Sequence, residues 1–481
     1  MTDILITNVT AITMDKNRRV LTNAAIAIEG EKIVAIGPRA EVEVAYGDAK
    51  THLDGTRMVA MPGLIDAHAH AGHGLIKTMG IGVGDAWNDA CQQIYTTGSD
   101  IEYWRAESAL AALERIKCGT TLGVSYLGGG DDVMRVDDPA YSEAYFQSVV
   151  QAGTRSILCV GANRPPFPVT YADWKDGKPV EKQITFVDQL ATCETVAKTW
   201  HGKENGRLRV ALTFPVHHPD ESDYTAAEVD EIKEQAHALR NVSKQLGVMF
   251  TQDGHRNGSI ALAHHQFDLL GPDAFLSHCT NMSPVEIEIA RETGTKIVHN
   301  PSANASIKGR CPVPELLDAG VTVMLGSDGT APDRSADMFR HMFQCMHYHR
   351  TFFKDARILP AGKTLEMTTI DAARGFGLEE ELGSLEVGKQ ADLILIDMFK
   401  PHLVPANMPV ERVVYFATGS DVDTTIVAGE ILMQGREVKS LDEGTVLEDA
   451  ETATAQMLER TGLDTLLTSP DGFWGHSRLP G

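Results

Sequence analysis

Between about residues 59 and 383 the chain alternates short β-rich runs with amphipathic helical runs, and this alternation restricts the fold more than any other feature. Strand-like runs centre on Leu64-Ile65 and on residues 120–124, 156–160, 209–212, 248–250, 274–277, 296–298 and 321–326. Helical patterns lie between them, as at 108–117, 228–246 and 284–293. Repeated strand–helix units of this kind predict an α/β fold, a (β/α)8 TIM-like barrel with its active site at the C-terminal ends of the strands. The rival is a doubly wound open sheet. It would call for a G-x-G-x-x-G opening a helix after the first strand, and none is present.

The two chain ends share a different texture. Runs at 4–7, 25–28 and 32–36, and again at 391–396, 410–415 and 424–429, read as strands separated by turns. Residues 1–58 and 384–440 are therefore expected to pair into one small β-sandwich domain beside a barrel of residues 59–383. Residues 441–481 read as a helix over 445–460, with Thr445 and Glu448 placed as a capping box, followed by an extended tail.

Composition narrows the function classes. A chain of 481 residues can bury one large core and a smaller one. The formal charge of −23 disfavours binding to a phosphate backbone or an anionic membrane surface. The start of the chain lacks the basic and apolar segments of a secretory signal, and no apolar run reaches bilayer length. Seven scattered cysteines without a C-x-x-C fit reduced, buried thiols. The expectation is a cytoplasmic protein acting on a small molecule, with no nucleic-acid or membrane partner.

Polar residues recur where the barrel strands should end. His68-Ala69-His70 follows the apolar run 61–67, and side chains two apart on a strand share a side, so both imidazoles can aim at one point. His217-His218 follows the fourth strand, Gln252-Asp253-Gly254-His255 the fifth, and His278-Cys279 the sixth. His299-Asn300 and Ser327-Asp328 follow the seventh and eighth. Histidines with an aspartate around one cavity can hold a metal ion and leave a position for water. His341, His347 and His349, interleaved with Met342 and Met346, read instead as helix packing. His73 reads as a loop histidine.

Taken together, P-G-L-I-D-A-H-A-H, S-H-C-T-N, H-N-P-S-A-N, L-G-S-D-G and the closing G-S-L-E-V-G-K-Q-A-D-L-I-L-I-D resemble the amidohydrolase superfamily, in its cytosine-deaminase-like and chlorohydrolase-like branch. The chain also resembles thiocarbamate (molinate) and phenylurea herbicide hydrolases. The resemblance implies one divalent metal, zinc or cobalt first, with iron or manganese open. It implies His68, His70 and Asp328 as ligands, and His278 as a ligand or as the group that polarises the scissile bond. His299 and Asn304 fall near the substrate. His217, Trp87 and Gln252 are the other expected substrate contacts, and the family commonly forms homo-oligomers.

One departure matters. The branch's fifth-strand motif is H-x-x-E, whereas this chain has Gln252 at the histidine position and His255 at the glutamate position. Two readings follow: His255 joins the metal shell, which is the favoured one, or the metal keeps fewer protein ligands and His255 does the proton work. Asp328, His278 and His255 are the expected catalytic groups. A ring deaminase uses that glutamate to protonate a ring nitrogen. Its loss points to cleavage of an acyl C–N (or C–S) bond in a small neutral amide, urea or (thio)carbamate. The alternatives are a deaminase or dechlorinase of a nitrogen heterocycle, and a non-catalytic binding relic of the same fold.

Overall fold

A computed structural model describes residues 2–82, 86–129, 133–220, 224–470, 472–475 and 477–478, without the side chain of Asn304. Eight parallel strands form the middle of the chain. They are β1 (Leu64–Asp66), β2 (Thr120–Leu127), β3 (Arg155–Gly161), β4 (Leu208–Thr213), β5 (Met249–Gln252), β6 (Ala274–Ser277), β7 (Lys296–His299) and β8 (Val323–Leu325). Each pairs with its sequence neighbour, so the spatial order is the chain order. The seam between β8 and β1 is closed by Ala67 N–H donating to the Leu325 carbonyl at 3.0 Å, and by Asp328 N–H donating to the His68 carbonyl at 2.8 Å. The strands read as continuous apolar runs because they are covered on both faces; all of β2 is buried.

Intervening helices begin where local chemistry dictates. Thr225 with Glu228 and Ser283 with Glu286 form reciprocal capping boxes, and Pro284 occupies the first turn of the helix it starts. A hairpin of Val169–Lys175 and Lys178–Ile184, unforeseen in the sequence pattern, is inserted between β3 and β4.

The chain ends combine into a second, nine-stranded sheet. Ile4–Ile12 pairs with Val20–Glu29, Thr51–Asp54 and Met58–Pro62, and Leu393–Asp397 then pairs antiparallel with Met58–Pro62. Met58–Pro62 thus lies in this sheet, and the barrel starts only at Leu64. The run at 410–415, read as a strand, is part of the helix Pro409–Phe416. Pro409 sits at its start, and Val410, Val413 and Val414 have the spacing of one helical face. The C-terminal helix runs Glu443–Thr461 and is capped by Asp442, which accepts from Thr445 N–H, so Thr445 is inside the helix rather than its cap. That helix buries Ala450, Ala453 and Met457 in the barrel's core. Ion pairs Lys117–Glu443 (2.7 Å) and Arg460–Asp100 (2.5 Å) hold its two ends. No helix among the described residues is long and apolar enough to cross a membrane.

Candidate metal centre

The C-terminal ends of the strands surround a cavity of about 1070 Å³. At its floor, three imidazoles meet two carboxylates. His68 Nε2 lies 3.2 Å from Asp253 Oδ1 and 3.3 Å from Asp328 Oδ1. His70 Nε2 lies 3.3 Å from Asp253 Oδ2 and 3.1 Å from Asp328 Oδ1. His278 Nε2 is 3.0 Å from Asp253 Oδ1 and 3.8 Å from Asp328 Oδ1. All five side chains are buried.

Local backbone geometry sets these positions. β1 stops at Asp66, and the chain rejoins the sheet as His70–Ala71 beside Tyr126 and Leu127. His68 is therefore off the ladder, and the two histidines converge through a kink rather than through strand alternation. His278 and Asp328 both adopt left-handed backbone, at φ 67° and 63°. Such conformations are unfavourable for residues with a Cβ and persist where the surroundings over-determine them. Gly326 is required by close packing: a Cβ there would lie 2.4 Å from Asn300 Oδ1 and 2.8 Å from His68 Cβ. Asp66 ties β1 to the β8 loop, accepting from Ser327 N–H at 2.9 Å and Ser327 O–H at 2.7 Å. Ser277 O–H donates to Asp253 at 2.5 Å and fixes the second carboxylate.

The electrostatics demand a positive charge at this point. Burial opposes ionisation of Asp253, but the charges of His68 and His278 hold its carboxyl well below the usual range. Burial acts likewise on Asp328 and is outweighed by Arg334, whose Nε is 3.4 Å from Asp328 Oδ2, and by the site histidines. For His70, burial disfavours the imidazolium, yet hydrogen bonds to Asp253 and Asp328 lift it to about 10. Two adjacent buried carboxylates need protons on the imidazoles or a cation in their place. The nitrogen and oxygen donors fit a divalent ion such as zinc. His68, His70 and Asp253 form one cation-sized group, and His68, His278 and Asp328 an overlapping one.

The other anticipated residues divide. His255 is buried but outside this convergence point: its Nδ1 pairs with Ser259 Oγ at 2.9 Å, and burial beside His218 holds the ring neutral, with its pKa down at about 3. Asp253 stands where His255 was expected, because β5 ends at Gln252 and Gly254, at φ 95°, turns the chain immediately after. Gln252 spends its amide on the backbone, donating to the carbonyls of Pro215 (3.1 Å) and Phe214 (3.3 Å). His217 packs among Phe214, Tyr224 and Phe267, and it is His218 that lines the cavity. His299 turns away to the helix Met338–Phe353, its ring 5.3 Å from that of His349. Trp87 lines the cavity, edge-on to His73 at 5.2 Å. The side chain of Asn304 lies outside the described residues.

Sequence reasoning missed Asp253, His73 and Arg334. His73 is buried and stacks on His70 at 4.4 Å. Burial, with the charge of His70, holds its pKa well below that of a free imidazole. An acidic residue beside Gln252 at a strand end was the available signal for Asp253. Arg334 carried none, since its loop position says nothing of Asp328.

Comparison with known proteins agrees with this architecture. The model of the amidohydrolase family matches residues 59–432. A 5'-deoxyadenosine deaminase of Methanosarcina acetivorans is 32% identical over 486 aligned residues, covering 96% of this chain and 99% of the relative. A 5-methylthioadenosine/S-adenosylhomocysteine deaminase of Desulforudis audaxviator is 32% identical, covering 90% and 95%. Among solved structures, a zinc-bound adenosine deaminase of Xanthomonas campestris superposes with TM-score 0.79 at 20% identity, covering 95% of this chain and 99% of that one. Atrazine chlorohydrolase of Arthrobacter aurescens, complexed with zinc, gives 0.73 at 21%, covering 94% and 100%.

Proposed function

Since this chain belongs to the amidohydrolase family, we propose that the cluster at the barrel mouth holds one divalent cation, zinc in the first instance, and hydrolyses a C–N bond of a small molecule. His68, His70, His278, Asp253 and Asp328 are the residues that would hold the ion. When bound, such a cation supplies a Lewis acid that brings the pKa of a water near neutrality. Asp328 is the proton acceptor, because one of its oxygens faces the histidines while the other is steadied by Arg334. The same carboxyl then returns the proton to the departing nitrogen. Were His278 to stand off the ion instead, its Nε2–H would stabilise negative charge as it develops on the substrate oxygen. His73 and Trp87 form the adjoining wall of the substrate cavity.

The bond cleaved is an acyl C–N (or C–S) bond, in an amide, urea or (thio)carbamate. One observation carries this reading. The described cavity wall contains Asp220, Asp253, Asp328 and Asp333 but no glutamate, and the residue at the H-x-x-E glutamate position, His255, is held neutral. Protonation of a heteroaromatic ring nitrogen calls for an acid beside the ion in the place of the H-x-x-E glutamate; Asp220, in an ion pair with Arg256 at 2.9 Å, and Asp333 lie on the cavity wall outside the metal cluster. Departure of an amine from a tetrahedral carbon needs only the proton Asp328 has taken. A second reading, deamination of an aminopurine nucleoside, is favoured by the names of the relatives 32% identical to this chain.

The test is product release by the zinc-loaded protein from amides, ureas, carbamates and thiocarbamates on one side and aminopurine nucleosides on the other. Amine release from the first set is expected. Ammonia from a nucleoside, with the first set untouched, would replace this reading by the second. Tight binding without turnover of either set would make the chain a binding relic.

A further inference from the structure

Behind the cavity floor, between β7 and the helix Met338–Phe353, lies a second cluster with a different donor set. His299 is the last residue of β7, while Cys345 and His349 stand one helical turn apart and so share a face. All three are fully buried. One ligand atom from each, two imidazole nitrogens and the thiol sulfur, lies within 4.8 Å of the others. Neither ring nitrogen of His299, nor either of His349, has a hydrogen-bond partner among the described residues. A neutral imidazole carries one N–H donor and one acceptor. Two such rings buried without partners leave four polar atoms unsatisfied, a costly arrangement that native interiors rarely keep.

We propose that His299, Cys345 and His349 form a second, structural metal site for a thiophilic ion, zinc or cuprous copper, that pins the helix Met338–Phe353 to β7. The donors select the ion. A thiolate with two imidazoles is a soft to borderline set, whereas the barrel-mouth cluster offers nitrogen and carboxylate oxygen only. Burial keeps both imidazoles neutral, which is their ligating form. Burial also disfavours the free thiolate, so the thiol proton must leave to solvent as the sulfur–metal bond forms. The charge of Arg310 nearby is offset by its own ion pair with Glu315.

The location gives the site a consequence. Asn300, the residue after His299, places its amide 3.5 Å from His278 Nδ1. The helix itself starts at Met338, directly after the loop that carries Asp328 and Arg334. An ion here would hold the back of the floor on which the five ligands stand. It would take no part in the reaction.

The site is closed to solvent, so the ion must be supplied while the chain folds. The experiment uses the full-length protein made in zinc-depleted medium with cobalt, and in parallel with zinc or copper. Expected are an ion beyond the one at the barrel mouth, a thiolate-to-cobalt charge-transfer band, and in the zinc form a metal–sulfur distance of about 2.3 Å by X-ray absorption. Cys345→Ser should abolish the band and the sulfur shell while leaving the barrel-mouth ion and turnover in place. His349→Gln, checked for folding by circular dichroism, should lose the second ion as well. Metal content equal to the barrel-mouth ion alone, with no sulfur in the shell, would overturn the proposal. So would a band that survives in Cys345→Ser, which would move the thiolate to another cysteine. These readouts do not depend on which substrate the barrel mouth takes.

Discussion

The two histidine clusters sit on opposite sides of the same barrel wall, yet their chemistry diverges. The cluster at the strand ends faces a cavity of about 1070 Å³ and interleaves imidazoles with carboxylates. The cluster behind β7 is closed, has a thiol in place of carboxylates, and leaves its imidazoles unpartnered. Histidine count alone separates nothing here. What separates the two clusters is the neighbouring donor and access to solvent. Carboxylates in contact with His70 draw charge onto the ring, while burial, with the charge of Arg310, outweighs Glu315 and keeps His349 neutral, with its pKa down at about 4.

That contrast can be broken most forcefully at Asp328. Asp328→Asn should lower turnover by about 10²–10³-fold or more, the scale of losing one preorganised electrostatic group. Steady-state kinetics checks it, and a variant retaining a tenth of wild-type kcat would remove Asp328 from proton transfer. Asp253 and His255 give the next largest difference. Asp253→Asn should strip metal from the barrel mouth, whereas His255→Ala should keep it. Elemental analysis of both variants decides which of the two belongs to the shell, and metal lost from His255→Ala would restore the ligand set expected from sequence.

A buried carboxyl in neither cluster sharpens the comparison through pH. Glu107 is fully buried; burial dominates, opposed by N–H groups of Gly72 and Gly74, and its pKa is raised to about 7. Its folded value stands above its unfolded value, so the folded state binds the proton more tightly. Stability from this group is present below the unfolded value of 4.5 and falls as pH rises toward 7. Glu107→Gln should flatten that fall, worth about 3 kcal/mol across the window. Denaturant midpoints measured at both ends of the window test it, and parallel curves for variant and wild type would refute it. The smallest effect belongs to the closed cluster: Cys345→Ser should leave kcat at the barrel mouth within about twofold, a sub-kilocalorie change. A loss approaching that of Asp328→Asn would erase the distinction between the two clusters.

Much of the architecture was written in periodicity. All eight barrel strands fall on the apolar runs read from sequence, because a strand covered on both faces must be apolar throughout. The run at 410–415 failed for a local reason. Its β-branched and aromatic residues suit a strand by type, whereas Val410, Val413 and Val414 keep only the helical spacing, and packing against the core, with Pro409 at the start, chooses the helix. The hairpin at 169–184 carried too little apolar patterning to be seen.

By itself the sequence determined the barrel and the joining of the chain ends into one sheet, since both follow from residue periodicity and chain order, and it placed His68, His70, His278 and Asp328 just after strands of that barrel. Tertiary structure alone decided which way individual side chains face once a strand has ended. Beyond the last ladder bond, the backbone at His68, Asp253, His278 and Asp328 is set by turns, left-handed residues and close packing from distant strands. That is why Asp253 and not His255 meets the imidazoles, and why His299 turns its ring to a helix instead of the cavity.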